Sequence, residues 1–533
     1  MWQQTYVPLG DSLVLSSLAA ALPVFTLLFL LGVARKPGWL AGVAGTGVAT
    51  LVALIVYKMP VAMAISALGY GAAYGLLPIG WIVFTAILLY RITVETGKFE
   101  IIKDSIGSLT GDQRLQALLI AFAFGAFIEG ASGFGTPVAV AAAMLAGLGF
   151  SPFYAAAICL LANTAPVAFG SIGTPLIALQ AVTGLPMASL SANVGRMCAP
   201  FSLIIPSYLI LVMGGRAALV GVFPAAALCG IAFSSVQFLV SNYVGPYLTD
   251  IFASIAAILS LVILFRVWKP KGAAAPQPHS HARGNVMMAW VPYVFLVILV
   301  LLWGNDAVKI WLNKATVVFP WPGLHNLVQR MPPVTNTASP YAATYTLNLL
   351  SASGTSCLFA VFASAAVLRV SPKKFAGITW GVSKQLALPM LTIASVLALA
   401  FLMNYCGATA TLGLAFSATG KLFPFFSPVL GWLGVFLTGS DTSANALFGT
   451  LQMVTADRLG FSQSMMAAAN SAGGVMGKMI SLQSIAVAAA ATGLPQADEG
   501  RLLRFTLKHS LLLTFLMGLL AMFYVYVAPQ WIR

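Results

Sequence analysis

Apolar stretches of about 20 residues, the length that crosses a hydrocarbon core, recur from one end of the chain to the other, as in Leu13–Leu31, Ala289–Trp303 and Ser510–Val527. The pattern predicts an all-α polytopic membrane protein with about twelve to fourteen transmembrane segments, the shortest entering the membrane without crossing it. Small polar residues and glycines interrupt the apolar periodicity at four places. Glu129-Gly-Ala-Ser-Gly-Phe-Gly-Thr-Pro137 and Thr438-Gly-Ser-Asp-Thr-Ser-Ala-Asn445 each lie between two apolar arms about one helix long, which predicts re-entrant hairpins with tips near mid-membrane. Asn163-Thr-Ala-Pro-Val-Ala-Phe-Gly170 and Asn470-Ser-Ala-Gly-Gly-Val-Met-Gly477 predict spanning helices broken at Pro166 and at Gly473-Gly474.

The four interruptions form two matched pairs because the chain contains an internal repeat. Pro60 pairs with Pro372 at an offset of 312, Pro78 with Pro389 at 311, Gly97 with Gly407 at 310, and Gly125 with Gly434 at 309. Gly130 and Gly439 follow at 309, Asn163 and Asn470 at 307, Gly170 and Gly477 at 307, and Arg196 and Arg504 at 308. Charge predicts that the halves are inverted. Arg35 and Lys36 precede the segment Gly38–Tyr57, whereas its partner Ser351–Leu368 is followed by Arg369, Lys373 and Lys374, so the positive-inside rule sends the two in opposite directions. The predicted organisation is an extra N-terminal helix in residues 1–34, a first repeat over 38–250, a linker with a cytoplasmic loop and connecting helices over 251–340, and a second repeat over 341–533.

Composition supports a chain solvated by lipid, since 60% of its 533 residues are hydrophobic and 7% charged. The formal charge of +15 lies between apolar segments without a basic stripe of interleaved aromatics, which fits membrane orientation and excludes nucleic-acid binding. The first apolar segment lacks a charged leader and a small-residue cleavage site and is expected to stay as a helix. Cys159, Cys198, Cys229, Cys357 and Cys406 stand singly in apolar sequence, so neither a disulfide framework nor a zinc site is expected. His279 and His281 fall in the polar, proline-bearing stretch Lys269–Gly284, which reads as a solvated linker. No metal constellation, phosphate loop or nucleophile elbow appears, so no catalytic residue, cofactor or metal is assigned and an enzyme is not expected.

Unwound backbone at mid-membrane depth is tolerated only inside protein or around a watery cavity, and half-helix N-termini there offer free N–H groups to an anion. The four breaks are therefore expected to form one carboxylate site, with Ser132, Gly133, Asn163, Thr164, Ser440, Thr442, Asn470 and Ser471 as the candidate substrate-binding residues. The competing reading of any single break is that its small residues allow close helix packing. Glu129 and Asp441 are the candidate proton-coupling acids, because desolvation beside a break penalises the charged form of a carboxyl group. Lys478 is the candidate charge partner, expected to pair with Asp441. Arg91 and Glu95, four apart, are expected to form a helical ion pair, Arg196 and Arg504 to anchor at an interface, and Phe134 and Phe169 either to shape a small pocket for a substrate methyl group or to serve packing.

The strings Phe127–Pro137, Ala162–Gly170, Phe425–Ser443 and Gly477–Ser481, together with the ends Trp2-Gln-Gln4 and Arg504–Ser510, resemble those of the bacterial L-lactate permease family over almost the whole chain. The resemblance implies proton-driven import of L-lactate, with glycolate and D-lactate as co-substrates, by a multi-pass protein of the bacterial inner membrane. It also implies kinship with ion transporters built from two inverted, hairpin-bearing repeats, in some of which a sodium ion fills the place that the Lys478 ammonium would occupy here. The central linker is shorter than the family's pattern. The alternatives are a sodium-coupled carboxylate transporter of the same architecture and a passive anion channel, the latter disfavoured because the polar residues form islands at mid-depth and no continuous path.

Overall fold

The computed structural model describes residues 1–133, 135–270 and 281–532; Phe134 and His279 lie outside them. Among the described residues eleven helices are long and apolar enough to cross a membrane, or twelve when the bent pair Pro152–Ala162 and Val167–Thr183 is taken as one span. The 57-residue helix Met187–Tyr243 would run about 85 Å if straight, far beyond a hydrocarbon core of about 30 Å. It turns back at Gly214 and Gly215, the latter at φ 69°, so that Gly230 packs on Leu203 and Gly195 on Ser241 as two antiparallel arms. Peripheral helices keep lipid-facing apolar side chains, such as Leu18, Phe25 and Phe29 on Leu13–Gly32, while the helix Gln113–Ala131 lies inside the bundle with Phe122, Phe124 and Phe127 fully buried.

Glycine contacts give the relative directions of the helices. Gly42 faces Ser395 and Gly45 faces Leu399, so Gly38–Val56 runs parallel to Pro372–Cys406. Gly354 faces Trp81 and Ile82, close to the level at which Gly80 meets Met390, and Phe362 packs on Phe375. Ser353–Val367 therefore runs antiparallel to Pro372–Cys406, and opposite to Gly38–Val56, as the inverted pairing expects. The helix Thr249–Val267 crosses the 250/251 boundary between first repeat and linker without interruption.

Both hairpins form. In the first, Gln113–Ala131 and Thr136–Gly147 flank a tip at which Gly133 and Gly135 take φ of 60° and 82°; in the second, Phe423–Thr438 and Asp441–Leu459 meet at Gly439-Ser440. The first broken span bends by 64° between Pro152–Ala162 and Val167–Thr183. Its counterpart differs from expectation. Gly473-Gly474 does not interrupt the helix, which continues through Gln463–Lys478 and breaks at Met479–Ser481 before Leu482–Thr492. Gly473 instead lies against the backbone of Pro428 and Gly431 against that of Asn470, so these glycines serve close packing of the second hairpin on the second broken span. Helix starts at Pro152 and Gln463 are 311 apart, so the match of Asn163 to Asn470 at 307 slips by about one turn.

A β-carbon at position 473 would overlap a main chain that has no side-chain torsion to yield. Gly473→Ala is thus expected to destabilise the protein by about 1–3 kcal/mol, outweighing the helix-propensity gain of about 1 kcal/mol, and thermal unfolding in detergent reads the loss.

Three further expectations change. Arg91 makes no ion pair with Glu95; its Nε and a terminal nitrogen donate to Gln385 Oε1 at 3.2 and 2.8 Å, while Lys374 donates to the Glu95 carbonyl. Arg196 does more than anchor at an interface, donating to Asn242 Oδ1 at 2.8 Å and to the Trp531 carbonyl. Short strands also join the helices: Trp2–Gln3 pairs in parallel with Val328–Gln329, which pairs on with Ser339–Pro340, and Val317–Pro320 pairs antiparallel with Thr344–Leu347. The five cysteines are buried and free.

Candidate functional site

The two hairpin tips and the two helix breaks converge on one cavity of 70 Å³. Glu129, Gly133, Ser440, Asp441, Thr442 and Lys478 line it, so six of the residues singled out by sequence come together from both halves. Liquid water occupies about 30 Å³ per molecule, so the space suits a solute of few heavy atoms.

Glu129 is the fifth residue of the helical turn Gly125–Ala131 and is 4% exposed. Its Oε1 points at Gly170, where a β-carbon would stand 2.6 Å away, and its Oε2 has no hydrogen-bond partner. Asn163 lies beside it on the C-terminal cap of Pro152–Ala162, with both amide atoms buried and unpartnered, as are Thr164 Oγ1 and Ser171 Oγ. Buried polar atoms in folded proteins nearly always have partners. Three such residues, at the first break or just after it, leave hydrogen-bonding capacity unused in this half. Ser171 and Ile172 hold φ of 46° and 55°, an uncommon conformation for residues with side chains and especially for a β-branched one, which turns Ser171 into the cavity.

The second half is wired differently. Asp441 Oδ2 accepts from Ser471 Oγ at 2.6 Å and from Asn445 Nδ2 at 3.3 Å, while Oδ1 is buried without a partner. Asn445 Nδ2 also donates to the Pro175 carbonyl at 3.1 Å, tying the second hairpin to the first broken span. Asn470 is fully buried behind the cavity, donating to Asn445 Oδ1 at 2.9 Å and accepting from Gln452 at 3.1 Å. Asn470 and Ser471 thus brace the hairpin, and Ser132, whose hydroxyl donates back to the Ile128 carbonyl at 3.0 Å, closes the helix end beneath the other tip. Phe169 is wholly buried away from the cavity lining.

Lys478 does not form the expected ion pair with Asp441. Its ammonium donates to the Gly439 carbonyl, at the C-terminal cap of Phe423–Thr438, where the negative end of the helix dipole attracts a cation. From there it faces both Glu129 and Asp441, one positive charge shared between two acids.

Sequence reasoning missed five residues. Ser171 and Thr174 lie one and four residues beyond Gly170, and Gln483 and Ser484 lie two and three beyond Ser481. Asp250 is 1% exposed with both carboxyl oxygens unpartnered, and its β-carbon stands 2.9 Å from where one would lie on Gly130, directly behind Glu129. An acid interrupting the apolar run of Thr249–Val267 was the available signal.

A bundle of membrane-spanning helices that brings paired hairpin tips and broken helices to one buried, charged cavity defines a membrane transporter. The L-lactate permease family model matches residues 16–528, and the chain belongs to that family. It is 45% identical to an L-lactate permease of Bacillus subtilis (strain 168), with 97% of each chain covered. It is 44% identical to an L-lactate permease of Escherichia coli (strain K12), covering 99% of this chain and 98% of the relative, and 42% identical to the glycolate permease GlcA of the same strain, with the same coverage. The crystal structure of the Alcanivorax borkumensis YdaH transporter has a similar fold, with a TM-score of 0.50 at 14% identity over 96% of this chain and 99% of that one. The chain is thus a multi-pass transporter of the bacterial inner membrane and not an enzyme.

Proposed function

We propose that the protein imports L-lactate, and with it glycolate and D-lactate, by symport with a proton. The relatives' names supply the substrate class, and one observation carries the mechanism: Glu129, Asp441 and Lys478 line a single cavity at the meeting point of both hairpin tips. With both acids ionised the three groups sum to one negative charge, which repels a carboxylate. One proton on Glu129 brings the sum to zero and leaves the Lys478 ammonium to attract the substrate. Hydrogen bonds from the Ser440, Thr442 and Ser171 hydroxyls hold the carboxylate and 2-hydroxyl beside Gly133, each worth about 1 kcal/mol net and more when the acceptor is charged. Asn163 and Thr164 complete the first half of the site behind Glu129, while Asn470 and Ser471 act through Asn445 and Asp441.

The two halves, residues 38–250 and 341–533, are inverted repeats that rock about this cavity in alternating access. The positive-inside rule supports a cytoplasmic position for the end of the bundle that carries Lys98, Lys103, Arg114, Arg266, Arg283 and Lys374, with the strands around Arg330 on the opposite side. An ammonium standing between the two acids also makes sodium unnecessary.

Uptake of labelled L-lactate into proteoliposomes under an inward pH gradient is expected to be unaffected by sodium. Accumulation that requires sodium would assign the coupling to that ion, and downhill flux without accumulation would make the protein a channel.

A further inference from the structure

A second cavity, of 240 Å³, opens at the opposite end of the helices that line the first. Gly170–Thr183 and Asp441–Leu459 begin at the central site and end here, at Thr183 on one and at Thr450, Val454 and Asp457 on the other. Pro175 and Thr183 are eight residues apart, about 12 Å of helix. Between them the seam is shut, with Gly449 packed on Leu179 and Val182, and Thr450 Oγ1 donating to the Val182 carbonyl at 2.8 Å.

Arg330 enters this cavity from the strand Val328–Arg330. Its guanidinium lies 4.9 Å from the centre of the Tyr341 ring, which stacks on Tyr405 at 4.3 Å. The ring holds the guanidinium by a cation–π contact and uses none of its N–H donors. Its Nε is buried without a partner, and it makes no ion pair although Asp457 lines the same cavity; Asp457 Oδ1 instead accepts from Gln463 at 2.7 Å. A planar, pre-oriented guanidinium with unmet donors is the group that takes a carboxylate in a two-pronged bond.

We propose that the Arg330 cavity is an outer binding station for a small carboxylate anion, which docks on the guanidinium before the seam between Gly170–Thr183 and Asp441–Leu459 parts to admit it to the central site. This rests on the transport reading given above. Among the described residues Arg330 and Asp457 are its two charges, of opposite sign, so they tune the station in opposite directions.

The test measures initial L-lactate uptake in proteoliposomes at low and high ionic strength. Arg330→Gln is expected to raise KM about fivefold or more with the maximal rate retained, and to flatten the dependence of KM on salt. Arg330→Lys should keep the salt dependence, and Asp457→Asn, which leaves Arg330 in place, should lower KM. Unchanged KM in both Arg330→Gln and Asp457→Asn would overturn the station, while absence of uptake by the parent protein would instead remove the transport reading itself.

Discussion

Glu129→Gln is expected to abolish the accumulation of L-lactate driven by a pH gradient while sparing substrate binding and counterflow exchange. The glutamine keeps the shape of the protonated acid, facing Gly170 and Asn163 as Glu129 does, but cannot release a proton. The variant cavity is locked in the charge state that admits an anion. In the proposed symport substrate and proton bind with positive linkage, each strengthening the other by the same factor, so a permanently neutral residue is expected to keep the affinity and lose the coupling. Gradient-driven uptake and counterflow on the same proteoliposomes separate the two. If Glu129→Gln concentrates lactate as the parent does, the proton travels elsewhere, and Asp441 is the next residue to replace.

Lys478→Gln is expected to reduce both uptake and exchange by at least about a hundredfold. Among the described residues Lys478 is the one cation lining the central cavity, and its removal leaves Glu129 and Asp441 facing a substrate anion with no compensating charge. Breaking a buried charge arrangement by deleting one partner costs about 3–5 kcal/mol, which is more than two orders of magnitude in binding. Adding Glu129→Gln to Lys478→Gln removes one of the uncompensated acids and should restore part of the exchange activity, without accumulation. Lys478→Gln with the parent's KM and maximal rate would show that the ammonium only caps the helix ending at Gly439.

Much of this arrangement is legible in the sequence because the chemistry sits where apolar periodicity fails. Glu129, Asp441 and Lys478 are charges beside such failures, and Gly133, Ser440 and Thr442 mark tips that the structure does place on the cavity. The misreading at Gly473-Gly474 has a physical cause. Glycine both weakens a helix and lets another backbone approach it, and the neighbouring sequence does not distinguish the two; only the contacts with Pro428 and the break at Met479–Ser481 do. Asn470 poses a related ambiguity, since a buried amide serves a guest or a neighbour equally well, and in the structure Asn445 and Gln452 hydrogen-bond to it. The strands at Trp2–Gln3 and Val328–Arg330 are two and three residues long, too short to carry an alternation, and so the setting of Arg330 was invisible along the chain.

The central claim, that substrate and proton cross together through the Glu129 cavity, is tested most directly by proton flux driven by the substrate. L-Lactate is added outside proteoliposomes that start with equal pH on both sides, and internal pH and labelled lactate are followed together against protein-free vesicles. The parent is expected to acidify the interior in step with lactate entry, and Glu129→Gln to exchange labelled lactate without acidification. Lactate entering through the parent with no change of internal pH would contradict the account.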